Sequence, residues 1–364
     1  MRIAQLAPLI ESVPPGQYGG TERIVSYLTE ELVRKGHSVT LFASGDSITS
    51  ARLIAGCPRA LRLDEAVKDY IAHHVVLVEK LWQMSDEFDL IHNHLDYLPF
   101  STLKRISTPS VTTLHGRLDL PDLGAIYREF DTLPMVSISN NQRKPLPDVN
   151  WVATVYHGLP KNLYQLHAKP GSYLAFLGRI SPEKGPDSAI EIARKVGVPL
   201  KIAAKVDKVD QEYFNAIIRP QLHDPLIEFI GEITDYEKND FIGNALALLF
   251  PISWPEPFGI TMIEAMACGT PCIAFRRGSV PEIAADNITG FIVDSVDQAA
   301  AAVPKAAMMD RTRIRRYFEE RFSATRMAEA YEAIYHQLHI HRKRGGKRLA
   351  VISSFNNFES KPMF

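Results

Sequence analysis

Short apolar runs alternate with amphipathic stretches from one end of the chain to the other. Residues 2–7 read as a buried strand, residues 22–35 as a helix, and residues 38–43 as the next strand. The apolar positions of the helix recur at the spacing of one helical face: Ile24, Val25, Leu28 and Leu32. We expect Thr21 to cap the first turn of this helix and Gly36 to end it. The order strand, helix, strand predicts a βαβ unit.

The same order restarts in the second half of the chain. Residues 173–177 read as a strand, residues 186–196 as a helix with proline in its first turn, and residues 200–204 as a strand. Other short apolar runs continue both series, at residues 89–92, 111–114, 135–138, 152–156, 227–230, 245–250, 271–275 and 291–293. Strands that alternate with helices are joined by crossovers, which predicts parallel sheets covered on both faces. The fold class is therefore expected to be α/β.

The polar segment 160–169, which precedes the restart near Gly171, favours two sheets over one large sheet. We expect an N-terminal Rossmann-like domain over residues 1–166 and a C-terminal Rossmann-like domain over residues 167–320. Residues 321–364 are expected to form a helix and a basic tail that cross back to the N-terminal domain. A ligand of such a fold is expected at the carboxyl ends of the strands, in the cleft between the two domains.

Composition and charge narrow the class of partner. The 364 residues include 41 Lys and Arg against 42 Asp and Glu, so no global charge favours nucleic acid or an anionic membrane. Three cysteines are too few for a disulfide framework, which indicates a reducing compartment. The first residues lack the apolar core of a signal peptide, and no apolar run is long enough to span a bilayer, so we expect a cytoplasmic protein.

Positive charge is concentrated near the C-terminus. Arg311, Arg313, Arg315 and Arg316 are expected on a solvated helix face. Five further cations form a basic tail, namely Arg342, Lys343, Arg344, Lys347 and Arg348. This tail is expected either to be solvated or to make weak contact with anionic lipid at the inner membrane face.

Two sheets of this kind suggest a nucleotide, but the usual nucleotide motifs are absent. No two glycines are separated by one residue, so the sequence has no Gly-x-Gly-x-x-Gly fingerprint, and it has no P-loop. No Asp-x-Asp pair is present to hold a divalent ion on a sugar nucleotide. We therefore expect no metal or cofactor, and we expect protein cations and helix amides to neutralise a diphosphate.

Three glycine-containing loops supply these groups. Arg179 and Lys184 lie in residues 178–186, where a strand ends and a helix begins. The loop around Gly19 and Gly20 has the same position after the first strand. Residues 255–271 place one carboxylate, Glu256, in a loop and a second, Glu264, about a turn into a helix, so these groups can accept hydrogen bonds from sugar and ribose hydroxyls. Each loop alone also fits an ordinary strand-to-helix connection.

At these residues the chain resembles the family 4 retaining glycosyltransferases, which have the two-domain GT-B fold. The resemblance implies that residues 1–166 form the acceptor domain and residues 167–320 the nucleotide-sugar donor domain. The resemblance covers nearly the whole chain and includes Gly-Gly-Thr-Glu, Gly-Arg-Ile-Ser-Pro-Glu-Lys-Gly, the Glu256–Glu264 motif and Gly-Ser-Val-Pro-Glu at 278–282. It implies catalytic roles for Arg179, Lys184, Glu256 and His115. It implies donor binding by Gly19, Gly20, Gly178, Glu232, Ile233, Phe258, Gly259, Ile260 and Glu264. The sequence departs from the family at His157, where Asn before Gly is common.

A second cluster, His92-Asn93-His94-Leu95-Asp96, allows more than one interpretation. A binuclear metal site would need a further adjacent histidine, and Tyr97 follows instead, which disfavours metal. We expect His94 and Asp96, together with Asn140, to contact the acceptor, with a cluster at a strand end as the alternative. Cys268 and Cys272 are expected to be buried structural thiols.

The expected function is transfer of a hexose from a nucleoside diphosphate sugar to an acceptor hydroxyl, without metal. The resemblance implies retention at the anomeric carbon, with UDP-glucose as the first donor candidate and GDP-mannose as the second. The acceptor is a sugar, a lipid or a small molecule. The alternatives are a nucleotide-sugar epimerase or a phosphorylase on the same fold, and a non-catalytic sugar-nucleotide binding protein.

Overall fold

The computed structural model describes residues 1–16 and 19–343, without the side chains of residues 342 and 343. The chain divides into two units, each with its own sheet. The first unit contains Met1–Gly158 and the chain from Ala324 onward, and the second contains Leu159–Ser323. The chain therefore leaves the first unit, builds the whole of the second, and returns. The expected boundary at 166 lies eight residues after Gly158, and the expected boundary at 320 lies three residues before Ser323.

The first unit is built on a seven-stranded sheet in which every recorded strand pair is parallel. Its strands are β1 Arg2–Leu6, β2 Ser38–Ser44, β3 Arg52–Cys57, β4 Leu90–Asn93, β5 Ser110–Thr113, β6 Met135–Ser137 and β7 Trp151–Thr154. Their order in the sheet is β3-β2-β1-β4-β5-β6-β7. The direction of the strand order reverses between β1 and β4, so this is the topological switch point of the sheet.

Helices flank this sheet. They are α1 Gly20–Arg34, α2 Tyr70–Gln83, α3 Phe100–Leu103 and α4 Leu123–Glu129. The core between sheet and helices includes Leu6, Phe42, Leu77, Ile91 and Phe100, none of which is more than 1% exposed. Burial of such side chains is the main source of the stability of the unit.

The second unit repeats the architecture with six parallel strands. The strands are β8 Tyr173–Arg179, β9 Leu200–Lys205, β10 Ile227–Gly231, β11 Ala245–Phe250, β12 Cys272–Phe275 and β13 Gly290–Val293, in the order β10-β9-β8-β11-β12-β13. The helices are α5 Pro186–Val196, α6 Gln211–Tyr213, α7 Asp235–Gly243, α8 Ile260–Cys268, α9 Val280–Ile283, α10 Val296–Ala306 and α11 Arg311–Arg321. The predicted helix over 186–196 is confirmed, and the switch point of this sheet lies between β8 and β11.

A last helix, α12 Ala324–Lys343, belongs to the first unit, where it contacts α1. Tyr331 and Tyr335 of this helix are buried, and their hydroxyls reach Thr113 on β5 and His92 on β4. The basic tail residues beyond Lys343 lie outside the described residues. No helix in the described part of the chain combines the length and the apolarity needed to cross a bilayer.

The start of α1 differs from the prediction. The helix begins at Gly20, so Thr21 lies inside its first turn and does not cap it. Gly19 precedes the helix, and its carbonyl accepts the Arg23 amide at 3.2 Å. A Cβ on Gly19 would lie 2.8 Å from Cβ of Pro15, so the close packing of this loop requires glycine. The end of the helix agrees with the prediction, since Gly36 follows with φ +88°.

Strand β3 was not predicted. It lies at the edge of the sheet, paired only with β2, and most of its residues are partly or fully exposed. An edge strand with solvent on one side needs only a short apolar run, and that of Arg52–Cys57 is limited to Leu53-Ile54-Ala55 before Gly56 interrupts it.

The prediction of a solvated arginine face on α11 was wrong for two of its residues. Arg311 is only 3% exposed, and its guanidinium donates to main-chain carbonyls of His167, Gly243 and Ala245. Arg315 donates to carbonyls including that of Ala267, at 2.5 Å. Five donors in a rigid fork suit arginine to loop ends that present several free carbonyls.

Candidate active site

In the second unit, two loops meet at the switch point between β8 and β11. Arg179 is the last residue of β8, and Lys184 ends a short 3₁₀ turn before α5. Gly185 has φ +70°, and a Cβ there would lie 2.2 Å from the carbonyl oxygen of Pro251. The amide of Ser253 donates to the Glu183 carbonyl at 3.0 Å. This close packing holds the loop after β8 against the loop after β11.

As a result, Lys184 and Glu256 form an ion pair although they are far apart in sequence. Lys184 Nζ donates to Glu256 Oε2. The indole Nε1 of Trp254 donates to the same oxygen at 3.1 Å. The Trp254 ring also lies under the ammonium, with Nζ 4.9 Å from the ring centroid. These three side chains form the Lys184 cluster, in which Trp254 orients both charged partners.

Arg179 lies in a more acidic environment. Its guanidinium donates to Glu183 at 2.7 Å and lies 3.7 Å from both Asp207 and Asp210. The side chain is 28% exposed, so it is accessible from solvent. Both predicted diphosphate cations are therefore paired with protein carboxylates in this structure.

The motif after β11 ends at the N-terminus of α8. Gly259 precedes the helix with φ +79°, Phe258 is 2% exposed, and Ile260 is the first helical residue. Gly278 packs against this loop from the connection after β12, since a Cβ on Gly278 would lie 2.3 Å from Glu256 N. The Ser279 amide donates to the Glu256 carbonyl at 3.0 Å. The Gly-Ser pair therefore supports the main chain on either side of Glu256.

Glu264 is 1% exposed and lies on α8. Its Oε1 accepts the hydroxyl of Tyr164 at 3.1 Å and the ammonium of Lys238 at 3.0 Å. Lys238 lies on α7, which begins shortly after Glu232 and Ile233. Glu232 itself is exposed. The predicted ribose-binding residue is thus a buried carboxylate that accepts two hydrogen bonds. One of its partners lies on the helix that follows the predicted base-binding segment.

In the first unit, two of the three predicted acceptor residues, His94 and Asp96, lie at the other switch point. A cavity of about 290 Å³ is lined by residues that include Thr21, His94, Asp96 and His115. Each lies near the carboxyl end of a strand or at the start of α1, which is where the topology predicts a ligand. Asn140 lies elsewhere on the surface, where its Oδ1 accepts the hydroxyl of Thr154 at 2.9 Å.

The histidines of this unit are buried and packed together. The rings of His94 and His115 lie 5.2 Å apart, and His157 stacks on His115 at 5.3 Å and 16°. Burial lowers the pKa of His115 to about 3 and the pKa of His92, His94 and His157 well below the usual value. All four rings are therefore neutral at physiological pH.

Two carboxyl groups of the first unit have raised pKa values, and one of them, Asp96, lines this cavity. Burial raises the pKa of Asp96 to about 6, although the main-chain N–H of His115 donates to it. Burial, with a smaller contribution from Glu11, raises the pKa of Glu22 to about 7. Glu22 follows the Gly19-Gly20 pair on α1, and Glu11 pairs with Arg62. Gln17 and Tyr18 of this loop lie outside the described residues.

The histidine cluster is held by protein partners. The ring nitrogens of His92 lie 2.7 Å from the hydroxyls of Tyr335 and Thr113, and those of His94 lie 2.9 Å from His115 and 2.7 Å from Gln5. Within residues 1–16 and 19–343, no three His, Cys, Asp or Glu side chains are arranged to hold a metal ion. Cys268 and Cys272 are both fully buried, as predicted.

Sequence reasoning missed several residues of both clusters. Trp254 stands two positions before Glu256, and an aromatic residue so near a functional carboxylate is a usable signal. Gln5 is a polar residue in the middle of a buried strand, which also marks it for inspection. Lys238 and Tyr164 carry no local signal, because only the packing around α8 brings them to Glu264.

The protein consists of two parallel-sheet units, each with charged or polar side chains at its switch point. Known proteins with this arrangement are glycosyltransferases of the GT-B fold. Residues 18–176 match the model described as Glycosyltransferase Family 4, and residues 165–321 match Glycosyl transferases group 1. The chain belongs to the family 4 glycosyltransferases and is a glycosyltransferase.

One curated relative and two solved structures of the same fold match nearly the full chain. The N-acetyl-alpha-D-glucosaminyl L-malate synthase of Bacillus anthracis is 24% identical over 88% of this chain and 94% of its own length. Sucrose-phosphate synthase from Thermosynechococcus elongatus superposes with a TM-score of 0.75 at 18% identity, covering 93% of this chain and 99% of that chain. Anabaena HepE, solved in complex with UDP and glucose, superposes with a TM-score of 0.72 at 18% identity, covering 93% of this chain and 100% of that chain.

Proposed function

We propose that this glycosyltransferase moves a hexose from a nucleoside diphosphate sugar to an acceptor hydroxyl, with retention at the anomeric carbon and without a metal ion. UDP-glucose is the first donor candidate and GDP-mannose the second. The observation that carries the proposal is the Lys184 cluster at the switch point of the second sheet, with Arg179 at the end of the adjacent strand. The UDP and glucose bound to Anabaena HepE support a uridine donor.

The chemistry follows from the growth of charge on the departing diphosphate. As the glycosidic bond breaks, negative charge develops on the phosphate oxygen, and a cation fixed nearby binds the transition state more tightly than the ground state. Lys184, Arg179 and the N-terminal amides of α5 and α8 would supply this stabilisation. They would take the place of a divalent cation.

Binding requires an exchange of partners, since both cations are already paired. An incoming diphosphate would compete with Glu256 for Lys184, and with three carboxylates for Arg179. Glu256, relieved of Lys184, would then accept a hydrogen bond from a sugar hydroxyl. Glu256 would keep the Trp254 indole as its donor during this exchange. On this proposal the carboxylate orients the sugar and does not act as a nucleophile.

The first experiment identifies the donor. Urea unfolding of the purified chain is measured with UDP, GDP and no nucleotide; a nucleoside diphosphate at about 100 times its Kd adds about 2.7 kcal/mol. Stabilisation by UDP supports the first donor candidate, and stabilisation by GDP alone supports the second. Stabilisation by neither would overturn the proposal that the chain uses such donors.

The second experiment follows the reaction with the radiolabelled sugar nucleotide and excess EDTA. The transferase is supported if label moves to a member of an acceptor panel of sugars, lipids and small molecules, or if the donor is hydrolysed when no acceptor is present. Interconversion of the free sugar nucleotide would instead indicate an epimerase, and dependence on inorganic phosphate a phosphorylase. Binding with no turnover would indicate a sugar-nucleotide binding protein. The anomeric coupling constant of the product, measured by NMR, reports retention.

A matched pair of lysine variants links the activity to the cluster. Lys184→Ala removes the proposed cation, whereas Lys195→Ala removes a lysine on the last turn of α5, paired with the exposed Asp297. We expect activity to fall only in the first variant. Equal activity in both would contradict the assignment of Lys184.

A further inference from the structure

One chain of hydrogen bonds crosses the interior of the first unit, from the cavity to the C-terminal helix. His115 Nε2 lies 2.9 Å from His94 Nδ1, and His94 Nε2 lies 2.7 Å from Gln5 Oε1. Gln5 Nε2 donates to the Tyr335 hydroxyl at 3.3 Å, and that hydroxyl lies 2.7 Å from His92 Nδ1. These five side chains, which we call the His115 relay, are therefore linked in series.

The side-chain amide of Gln5 determines which nitrogen of His94 and which nitrogen of His115 donates a hydrogen bond. Its oxygen faces His94 and can only accept a hydrogen bond, so His94 Nε2 carries the proton. A neutral imidazole has a single N–H, so His94 Nδ1 is an acceptor, and His115 Nε2 must donate to it. His115 is then left with an unprotonated Nδ1.

The relay depends on neutral rings, and burial makes them neutral. Burial lowers the pKa of His115 to about 3 and that of His94 well below its usual range. Each ring therefore carries one proton at physiological pH. The position of that proton is set by the hydrogen-bond partners of the ring.

The far side of His115 has an unused acceptor. Its Nδ1 is buried, and no described residue forms a hydrogen bond with it. His157 stacks on the ring face, which does not satisfy a lone pair in the ring plane. The same histidine lines the cavity of about 290 Å³ with Asp96 and Thr21. A buried acceptor without a donor is unfavourable, so this atom favours a ligand that brings a donor.

We propose that Gln5 and His94 are positioning residues that hold His115 in the tautomer protonated on Nε2, so that its Nδ1 accepts a hydrogen bond from a ligand hydroxyl. That the ligand is a sugar or another acceptor of hexose rests on the proposed function, whereas the tautomer does not. As a consequence, the site selects a ligand group by its ability to donate a hydrogen bond. The site takes a group that donates a hydrogen bond at this position and disfavours a keto, carboxylate or phosphate oxygen, which can only accept.

The tautomer can be read directly by NMR. The whole chain is prepared with ¹⁵N-labelled histidine, and long-range ¹H–¹⁵N correlations distinguish protonated from unprotonated ring nitrogens. Of the 12 histidines, His94 and His115 are assigned by loss of signals in His94→Asn and His115→Asn. We expect both residues to show a protonated Nε2 and an unprotonated Nδ1. A protonated Nδ1 on His115, or a doubly protonated ring at neutral pH, would overturn the inference.

Two variants of Gln5 test its role. Gln5→Leu removes the acceptor for His94 Nε2, so we expect His115 to show a mixture of both tautomers. Gln5→Glu keeps an acceptor toward His94, so His115 should keep Nε2 protonated. If Gln5 served only in packing, Gln5→Leu would disturb the unit less than Gln5→Glu, because leucine suits a buried strand better than a carboxylate does. An unchanged tautomer in Gln5→Leu would contradict the positioning role.

The measurement needs neither substrate nor turnover, so its outcome is separate from that of the proposed function. A chain with the expected tautomers but no transferase activity would refute the proposed function and leave the relay intact. A chain active with UDP-glucose but with Nδ1 of His115 protonated would refute the relay alone. If Gln5→Leu fails to fold, the wild-type spectrum by itself still decides the tautomer.

Discussion

The buried histidines predict a steep loss of stability of the first unit in mild acid. His92, His94, His115 and His157 all have pKa values below the ordinary value of 6.5 in the folded chain, because burial disfavours the imidazolium. Below pH 6.5 the unfolded chain binds protons on these groups and the folded chain does not. For these four histidines, no stability is lost above pH 6.5, and the free energy of unfolding falls as the pH decreases below it.

The size of the effect follows from counting protons. Each histidine lowers the free energy of unfolding by about 1.4 kcal/mol per pH unit in this range. Two groups oppose this, since the pKa of Glu22 is raised to about 7 and that of Asp96 to about 6, so the folded chain binds protons on them first. For these six groups, four protons favour unfolding against two that favour folding, and burial also lowers the pKa of His74, which adds to the loss in the same direction. The net loss is roughly 2.7 kcal/mol per pH unit between about pH 6 and pH 5.

Urea unfolding at pH 7.5, 6 and 5 measures this loss. In a Trp254→Phe background, fluorescence comes only from Trp82 and Trp151, which both belong to the first unit. His157→Gln should reduce the slope by about 1.4 kcal/mol per pH unit. His223→Gln, a change at an exposed histidine of the second unit, should leave it unaltered. A free energy of unfolding that stays constant between pH 6 and pH 5 would refute the reasoning.

Four further outcomes are expected. Excess EDTA should leave the transferase rate nearly unchanged, and a requirement for added magnesium or manganese would contradict the role of the protein cations. Lys184→Ala should lower kcat by about 10²–10³-fold, whereas Glu264→Gln should mainly raise KM for the donor. The same kinetic profile for both variants would contradict these two separate roles. Trp254→Phe keeps the ring under Lys184 but loses the N–H that binds Glu256, and kcat should fall about tenfold, with an unchanged kcat counting against this hydrogen bond. Gly278→Ala should shift the Glu256 loop and lower the urea midpoint, because the new Cβ would lie 2.3 Å from Glu256 N and φ is +54°; an unchanged midpoint would show that the loop adapts.

The sequence predicted the parts of the molecule that are encoded locally. The alternation of strands and helices predicted two parallel sheets, and the loops containing Arg179, Lys184 and Glu256 were found because each motif is continuous along the chain. The edge strand Arg52–Cys57 was missed because its apolar run is only three residues long and is interrupted by Gly56. Local patterns therefore located the loops but not every strand between them.

The pairings between distant residues were beyond local patterns. Gln5 and Tyr335 are 330 positions apart, and only the return of α12 to the first sheet brings them together. Arg311 was expected in solvent because charge is normally exposed, yet the free carbonyls around Gly243 and Ala245 make a buried guanidinium favourable. In both cases the three-dimensional arrangement of hydrogen-bond partners decides where a polar side chain lies.

The return of the chain to its first unit has a consequence for synthesis on the ribosome. Residues 159–323 form a contiguous unit, so the nascent chain holds everything that this unit needs before α12 has been made. The first unit, by contrast, has six of its seven strands by residue 137, but the Tyr335 hydroxyl that contacts both His92 and Gln5 emerges only with α12. The half that is translated first is therefore the half whose interior is completed last.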